Sequence, residues 1–305
     1  MTAADPPPAD EIDPRFVALV ERYSAAMDEG RIADADAASN EIMAFVVEQE
    51  QSKGPSPEVL RSLMAEQAEN DGEWKVARRI YEEDLAGAQN EKVPLARFAL
   101  SSRCKLKLSY VEYKQGRLQS AFELSRDAVE LAHESGSEVS WQMAVVSFAG
   151  FAIRADRSQD AVTTIDQVLA VASDSLSFAL IRAQLLTRRA EAALAMGDHG
   201  AARANLASAR QAIAPLASSP VAGIRATLAS GWEQEAKLAM HAGDWPAARA
   251  AWEAAVELRR QLAEHWDHSR RTTDCLAETT AQFAAAADAA GDSKLAESLR
   301  AASLR

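Results

Sequence analysis

From Trp245 onward the apolar and small residues fall at Trp245, Ala248, Trp252, Ala255, Val256 and Leu262, at steps of three and four. Polar residues stand between them, which is the pattern of one apolar stripe on an amphipathic helix. The stretch "LSYVEYKQGRLQSAFELSRDAVELA", residues 108–132, shows the same spacing on both sides of Gly116. Strand formers nowhere cluster into alternating runs, so the pattern predicts helices and no sheet.

The helices come in pairs. A small or turn-forming residue is followed five positions later by alanine at Gly30/Ala35, Gly72/Ala77, Gly116/Ala121, Asp156/Ala161, Gly197/Ala202, Gly243/Ala248 and Gly291/Ala296. Successive turns lie 42, 44, 40, 41, 46 and 48 residues apart, a loose period of the kind that marks stacked helical hairpins. The turn residue accepts left-handed backbone angles and so ends the first helix, Asp156 standing in for glycine. The alanine marks where the two helices come closest, because a larger side chain would force them apart.

Breaks between hairpins are read at "GPSPE" (54–58), "NEKVP" (90–94), "ESGSE" (134–138), "SDS" (173–175) and "ASSPVAG" (217–223). Pro, Gly and Ser there stop one helix and cap the next. Asp13 and Pro14 read as a helix N-cap and first helical residue. Residues 1–11 are expected to be a disordered tail and 12–305 a single domain. Between the sixth and seventh units no break is evident, and "LAEHWDHSRRTTDCLAETT" is expected to hold long helices joined by a short polar turn near Ser269 to Asp274.

This pattern resembles the tetratricopeptide repeat (TPR) family, most closely in "YVEYKQGRLQSAFELSRDAVELA" and "GWEQEAKLAMHAGDWPAARAAWEAAVEL". In the second, Trp232, Ala236, Gly243, Trp245, Ala248, Trp252 and Ala255 stand where the family prefers Trp, a small residue, Gly, an aromatic, Ala, an aromatic and Ala. The resemblance runs from about Pro14 to Leu304. The spacing exceeds the family's usual repeat of about 34 residues, as in kinesin light chain-like repeats and the sensor domains of some large bacterial transcription activators. The proline that closes a repeat is mostly missing, and Tyr23 occupies a small-residue position in the first unit. The resemblance implies an all-α, right-handed TPR-like α-solenoid of about seven helical hairpins. Its first helices would line a concave surface.

Composition narrows the partners. The 305 residues are 48% hydrophobic, 26% charged and 6% aromatic, as in a folded helical protein rather than a disordered chain. A net charge of -12 argues against a nucleic-acid partner, which would need Lys and Arg to neutralise phosphates. The N-terminus shows no basic segment leading into an apolar core, and no stretch approaches the roughly 20 apolar residues of a membrane span. The expectation is therefore a cytoplasmic protein with no membrane partner. Cys104 and Cys275 are too few for a disulfide framework or a four-cysteine zinc site.

Candidate chemistry is sparse. No phosphate loop, nucleophile elbow or paired-cysteine motif occurs, and Glu82, Glu83 and Asp84 read as exposed helix surface, so no enzyme activity and no cofactor are expected. His265 and His268, with Asp274 and Cys275 one or two turns on, fall short of the three or four converging ligands a metal needs. From Lys92 to Arg117 the acidic chain becomes basic, with Lys92, Arg97, Arg103, Lys105, Lys107, Lys114 and Arg117 against Glu112. An acidic peptide or a carboxylate partner would account for that bias.

In the family's register the concave face carries Arg103, Leu106, Lys107, Tyr110, Tyr113 and Lys114 in unit three. It carries Ile153 and Arg154 with Val146 and Gly150 in unit four, Arg188 with Glu191 in unit five, and Lys237 with Glu233 in unit six. Tyr110 and Tyr113 read either as aromatic anchors for a partner or as packing against the next hairpin. The family's chaperone-tail clamp is not expected, since Leu106 and Tyr110 stand where its first Lys and Asn would be. The resemblance implies a non-catalytic scaffold that binds protein or peptide segments. The alternative is a regulatory sensor, in which a small ligand or signalling peptide controls a separate effector; a third expectation is self-association through a terminal hairpin. A scaffold needs an extended groove and a sensor an enclosed one.

Overall fold

The computed structural model describes residues 14–29, 31, 34, 37–38, 41–42, 45, 57–172, 178–217, 221–265 and 270–303. The tail at 1–11, Asp13, Gly30, Ala35, the "SDS" break and His268 lie outside them. Among the described residues there are thirteen α-helices, one short 3-10 turn (Ala214–Leu216) and no strand. None of these helices is long and apolar enough to cross a membrane.

The chain divides into two compact units, one of residues 1–60 with 175–177 and one of 61–174 with 178–305. The smaller holds α1 (Pro14–Asp28), where Leu19 and Ala26 are buried and the Phe16 ring lies 5.8 Å from that of Phe45. The larger takes in α2 (Pro57–Asp71) from Arg61 onward. After it come α3 (Trp74–Gln89), α4 (Pro94–Lys114), α5 (Leu118–Glu134), α6 (Glu138–Arg154) and α7 (Ser158–Leu169). Then follow α8 (Ala179–Ala195), α9 (His199–Ile213), α10 (Ala222–His241), α11 (Trp245–His265), α12 (Arg270–Ala289) and α13 (Ser293–Ser303).

Each even-numbered helix from α2 to α12 is the first of a hairpin, and the turn that closes it is built the same way every time. Gly116, at φ 76°, shows why a residue tolerant of the left-handed region is needed. The same geometry recurs at Asp156 (57°) and, between 73° and 82°, at Gly72, Gly197, Gly243 and Gly291. The next residue then donates its N–H to a carbonyl five positions back: Glu73 to Ala68, Arg117 to Glu112, Arg157 to Ala152, Asp198 to Ala193, Asp244 to Ala239, Asp292 to Ala287, all at 2.7–2.9 Å. These bonds satisfy carbonyls that the helix end leaves without partners. Four residues further on stand Ala77, Ala121, Ala161, Ala202, Ala248 and Ala296, every one fully buried. There is no room for another carbon at these positions, so the hairpin angle is set locally.

What starts the second helix differs along the array. Asp198 and Asp244 accept N–H bonds from Ala201 and Ala247 at 2.9 and 3.0 Å, ordinary side-chain caps. In unit three Arg117 holds that position, and Glu112 replaces the alanine whose carbonyl accepts the turn N–H in the other units. The two side chains pair, Arg117 Nη2 lying 2.8 Å from Glu112 Oε1, and Arg78 Nη1 comes within 3.4 Å of the same oxygen. Arg117's hydrogen bond is the main force holding the buried Glu112 carboxyl below its ordinary value, against desolvation.

Hairpins stack through side chains that interdigitate across neighbours. Ala65, Ala68, Ala77, Ile80, Tyr81, Leu108 and Val111 join α2, α3 and α4. Phe122, Val145, Phe148, Ile165, Val168, Ile181 and Leu185 continue the seam from α5 to α8. Trp252 lies against Phe283, ring centroids 6.2 Å apart, where α11 meets α12. The helix ends at Gln89 and Glu134 and the starts at Pro94 and Glu138 fall at the expected breaks. Of the polar turn expected near Ser269 to Asp274, Ser269 lies outside the described residues and 270–274 are helix, not turn. The reason is tertiary, because the side chain of Asn70 accepts the Arg270 N–H at 3.0 Å and caps α12 from another repeat.

Three substitutions test the turn. Gly116→Ala is expected to lower unfolding free energy by about 1 kcal/mol; nothing lies within 4 Å of the added carbon, so the loss is conformational. Ala121→Leu overpacks the hairpin and is expected to lose about 1–3 kcal/mol, while Asp156→Gly loses nothing. Urea denaturation followed by circular dichroism measures all three, and a harmless Ala121→Leu would refute the close-approach account.

Glu112 gives a pH test. Its folded pKa is depressed below the ordinary 4.5, so its contribution is fully present above about pH 5 and is lost as pH falls through the folded pKa. The stability gap between the native chain and Glu112→Gln, expected to be about 1–3 kcal/mol near neutrality, should therefore close in acid. A gap that widens below pH 4 would contradict the assignment.

Candidate binding face

The first helices form a file, α4 packing on α6, α6 on α8 and α8 on α10. This succession follows from the turns, since each hairpin presents its first helix to the first helix of the next. The residues expected on the inner face separate into two groups, with different neighbours.

The first group is on α4 and is already engaged. Lys107 Nζ lies 3.8 Å from Glu66 and 5.9 Å from the centre of the Tyr81 ring. Tyr110 meets Trp74 edge-on at 6.2 Å, and the Arg271 guanidinium from the start of α12 stands 4.4 Å above its ring. Lys114 forms an ion pair with Asp274, 160 residues away in the chain. Desolvation pulls the Lys114 pKa down, and the Asp274 hydrogen bond with the fields of both tyrosines more than restores it. Arg270 places its guanidinium 5.7 Å from Trp74 and against Gly72, where any side chain would meet it. Within the larger unit, α12 thus closes onto α2, α3 and α4 through a cap, two cations over aromatic rings and an ion pair.

The remaining basic residues of the 92–117 stretch are dispersed. Lys105 pairs with Asp127 at 2.6 Å, Arg117 serves the turn, and Arg97 lies over Phe98. Arg103 is exposed and Leu106 half-buried. The bias toward positive charge in the sequence therefore does not become one basic patch.

The second group lies on α4, α6, α8 and α10 around Glu191. Tyr113 packs its ring 5.8 Å from that of Phe151 and 5.4 Å from the Arg154 guanidinium. Arg154 donates to the Gly150 carbonyl at 3.0 Å, and Arg188 lies beside the same glycine. Arg188 in turn pairs with Glu191 at 2.6 Å. Lys237 on α10 faces the same carboxylate electrostatically. Burial pushes the Glu191 pKa up, but Arg188, Arg154 and Lys237 together bring it below the ordinary value. Ile153 turns instead to the core seam of α5 to α8.

Arg154 combines two properties. It is exposed to solvent, yet desolvation is the strongest influence on it, and the fields of Glu191, Tyr113 and Glu278 with a hydrogen bond to Tyr113 keep its pKa raised. Deeper on the same side, Glu233 of α10 is taken up by Arg259 at 3.0 Å and by the Thr279 hydroxyl at 2.8 Å.

Sequence reasoning placed Tyr113, Arg154, Arg188 and Lys237 on one face but missed Asn70, Arg270 and Arg271. Their only local signal is an Arg pair after a histidine-rich stretch, and nothing in a period of about 40 residues announces a contact across 160 to 200. Asp274, considered there with two histidines as a weak metal cluster, is the partner of Lys114. No group of three or more His, Cys, Asp or Glu side chains converges among the described residues.

No protein-family model matches the chain, and no curated protein matches it in sequence. Solved structures do. BtubC (BKLC) from P. vanneervenii is similar at 19% identity, covering 74% of this chain and 90% of its own, with a TM-score of 0.52. A Rap protein complexed with competence and sporulation factor is similar at 10% identity, covering 96% of this chain and 97% of its own, also with a TM-score of 0.52. A tetratricopeptide repeat protein from Parabacteroides merdae is 13% identical over 95% of this chain, with a TM-score of 0.46. The chain has an all-α, TPR-like helical-repeat fold.

The closing contact is measurable without any ligand. A double-mutant cycle with Lys114→Ala and Asp274→Ala is expected to give a coupling of about 0.5–1 kcal/mol. Raising the salt from 0.05 to 1 M should reduce it, since both side chains reach solvent. Zero coupling at low salt would remove the ion pair from the account.

Proposed function

We propose that this chain is a regulatory sensor. It takes a short peptide onto the inner face around Tyr113, Arg154 and Arg188, and the contact between α4 and α12 reports the occupancy to a separate effector protein. The observation that carries this reading is that contact itself: Lys114 with Asp274, and Tyr110 beneath Arg271, close hairpins separated by 160 residues. An open scaffold would leave Tyr110 and Lys114 free for a partner, whereas here they hold the array together.

Three properties support the reading. Aromatic and cationic side chains on successive first helices suit a peptide, offering stacking and charge in an extended row. A closing contact made of one half-buried ion pair and cation–ring pairs has a small net free energy, so a ligand with modest differential affinity shifts it. The Rap protein, alike in fold, is seen with a bound factor, and that general arrangement is what we carry over to this chain.

Paired nitroxide labels at Lys75→Cys and Ala277→Cys, in a Cys104→Ser, Cys275→Ser background, test it. The array would be challenged with linear peptides selected from a random phage-displayed library. A selected peptide is expected to change the label separation and to lose affinity in the Tyr113→Ala variant. Tight peptides that leave the separation unchanged would reduce the protein to a passive scaffold, and failure to select any peptide would end the reading.

A further inference from the structure

We infer that Arg154, with Arg188 and Lys237, forms a subsite for one carboxylate of the bound ligand, laid against the bare backbone of α6 at Gly150. This rests on the peptide-binding reading above and adds which chemical group the face selects and where.

The argument begins with charge. Arg154, Arg188 and Lys237 come from three successive first helices and all three act on one carboxylate, Glu191, while Glu278 acts on Arg154 as well. Three cations facing two anions leave one positive charge in excess. That excess is localised. Arg188 spends its charge on Glu191 at 2.6 Å. Among the described residues neither Arg154 nor Lys237 has a carboxylate oxygen within 4 Å, although Lys114, Arg188 and Arg259 on the same side each do.

Geometry then says what fits. The Arg154 guanidinium is held from two directions, by the Gly150 carbonyl at 3.0 Å and by the Tyr113 ring face at 5.4 Å. The Gly150 carbonyl and a hydrogen bond with Tyr113 engage only part of the five-donor fork, so the remaining N–H groups can meet a carboxylate. Gly150 explains how two guanidiniums fit side by side on one helix. A Cβ there would touch Arg154 Nη1 at 3.5 Å and Arg188 Cζ at 3.6 Å, so a side chain longer than methyl would displace them. A carboxylate matches the fork and the single charge, and a charge-assisted bidentate pair is stronger than a neutral hydrogen bond.

The carboxylate has two sources in a peptide, its C-terminus or a Glu or Asp side chain. Three synthetic random-sequence libraries separate them: free-acid peptides lacking Asp and Glu, their amidated counterparts, and amidated peptides with one fixed Glu. Retention on the immobilised full chain is read by mass spectrometry.

Retention of the free-acid library alone supports the subsite with a C-terminal ligand. Retention of the Glu library alone supports it with a side-chain ligand. In either case Arg154→Gln is expected to reduce retention at least tenfold, with Arg203→Gln, an exposed change on α9, as the control. Equal retention of the amidated acid-free library would overturn the carboxylate subsite while leaving peptide binding intact. So would a preference that survives in a folded Arg154→Gln, Lys237→Gln variant. No retention of any library would overturn both.

Discussion

Two helices can approach to the distance of a bare methyl group only if the turn between them delivers the second helix at one angle, and this constraint governs the larger unit. The left-handed residue, the N–H bond reaching five residues back, and the fully buried alanine four residues further on are three parts of one device. Each part is local, so each hairpin assembles from information within about twenty residues. Stacking is then a matter of burying the remaining apolar stripe, which the seams through Phe122, Phe148 and Ile165 and through Trp252 and Phe283 accomplish.

Because the turns fix the hairpins, polar residues can be spent elsewhere. Unit three shows how. Glu112 and Arg117 occupy positions that are alanine and aspartate in the last three units, and their ion pair spans the turn that Asp198 and Asp244 cap in theirs. The exchange puts a buried carboxylate beside two arginines without disturbing the backbone pattern, since the N–H bond of Arg117 to the Glu112 carbonyl is kept at 2.9 Å. A buried charge is tolerable only when paired.

The inner face follows the same economy. Glu191 and Glu233 sit on first helices, and each is satisfied by an arginine from its own or the neighbouring helix. What remains unsatisfied is positive, around Arg154 and Lys237, in a protein whose net charge is -12. A positive site on an acidic protein meets acidic molecules only after they have overcome the repulsion of the surrounding surface. It also keeps the attraction short in range, so that recognition depends on entering the face. In the sensor we propose, the contact from α12 to Tyr110 and Lys114 is what sets how open that face is.

The helical pairs, the turn residues and the buried alanines were legible in the sequence because they depend on backbone angles and side-chain size within one hairpin. The placement of Tyr113, Arg154, Arg188 and Lys237 on first helices was legible too, since the register is fixed. Which of those residues would be engaged was not. The basic stretch from Lys92 to Arg117 reads as one patch, yet Lys105 turns to Asp127, Arg117 to Glu112 and Lys114 to Asp274. The start of α12 was misread as a turn because its cap is Asn70, two hundred residues earlier. A repeat sequence specifies each unit and its neighbour; it leaves open where the accumulated rotation of six units brings the last against the first. That is the sum of many small angles, and only the tertiary structure decides it.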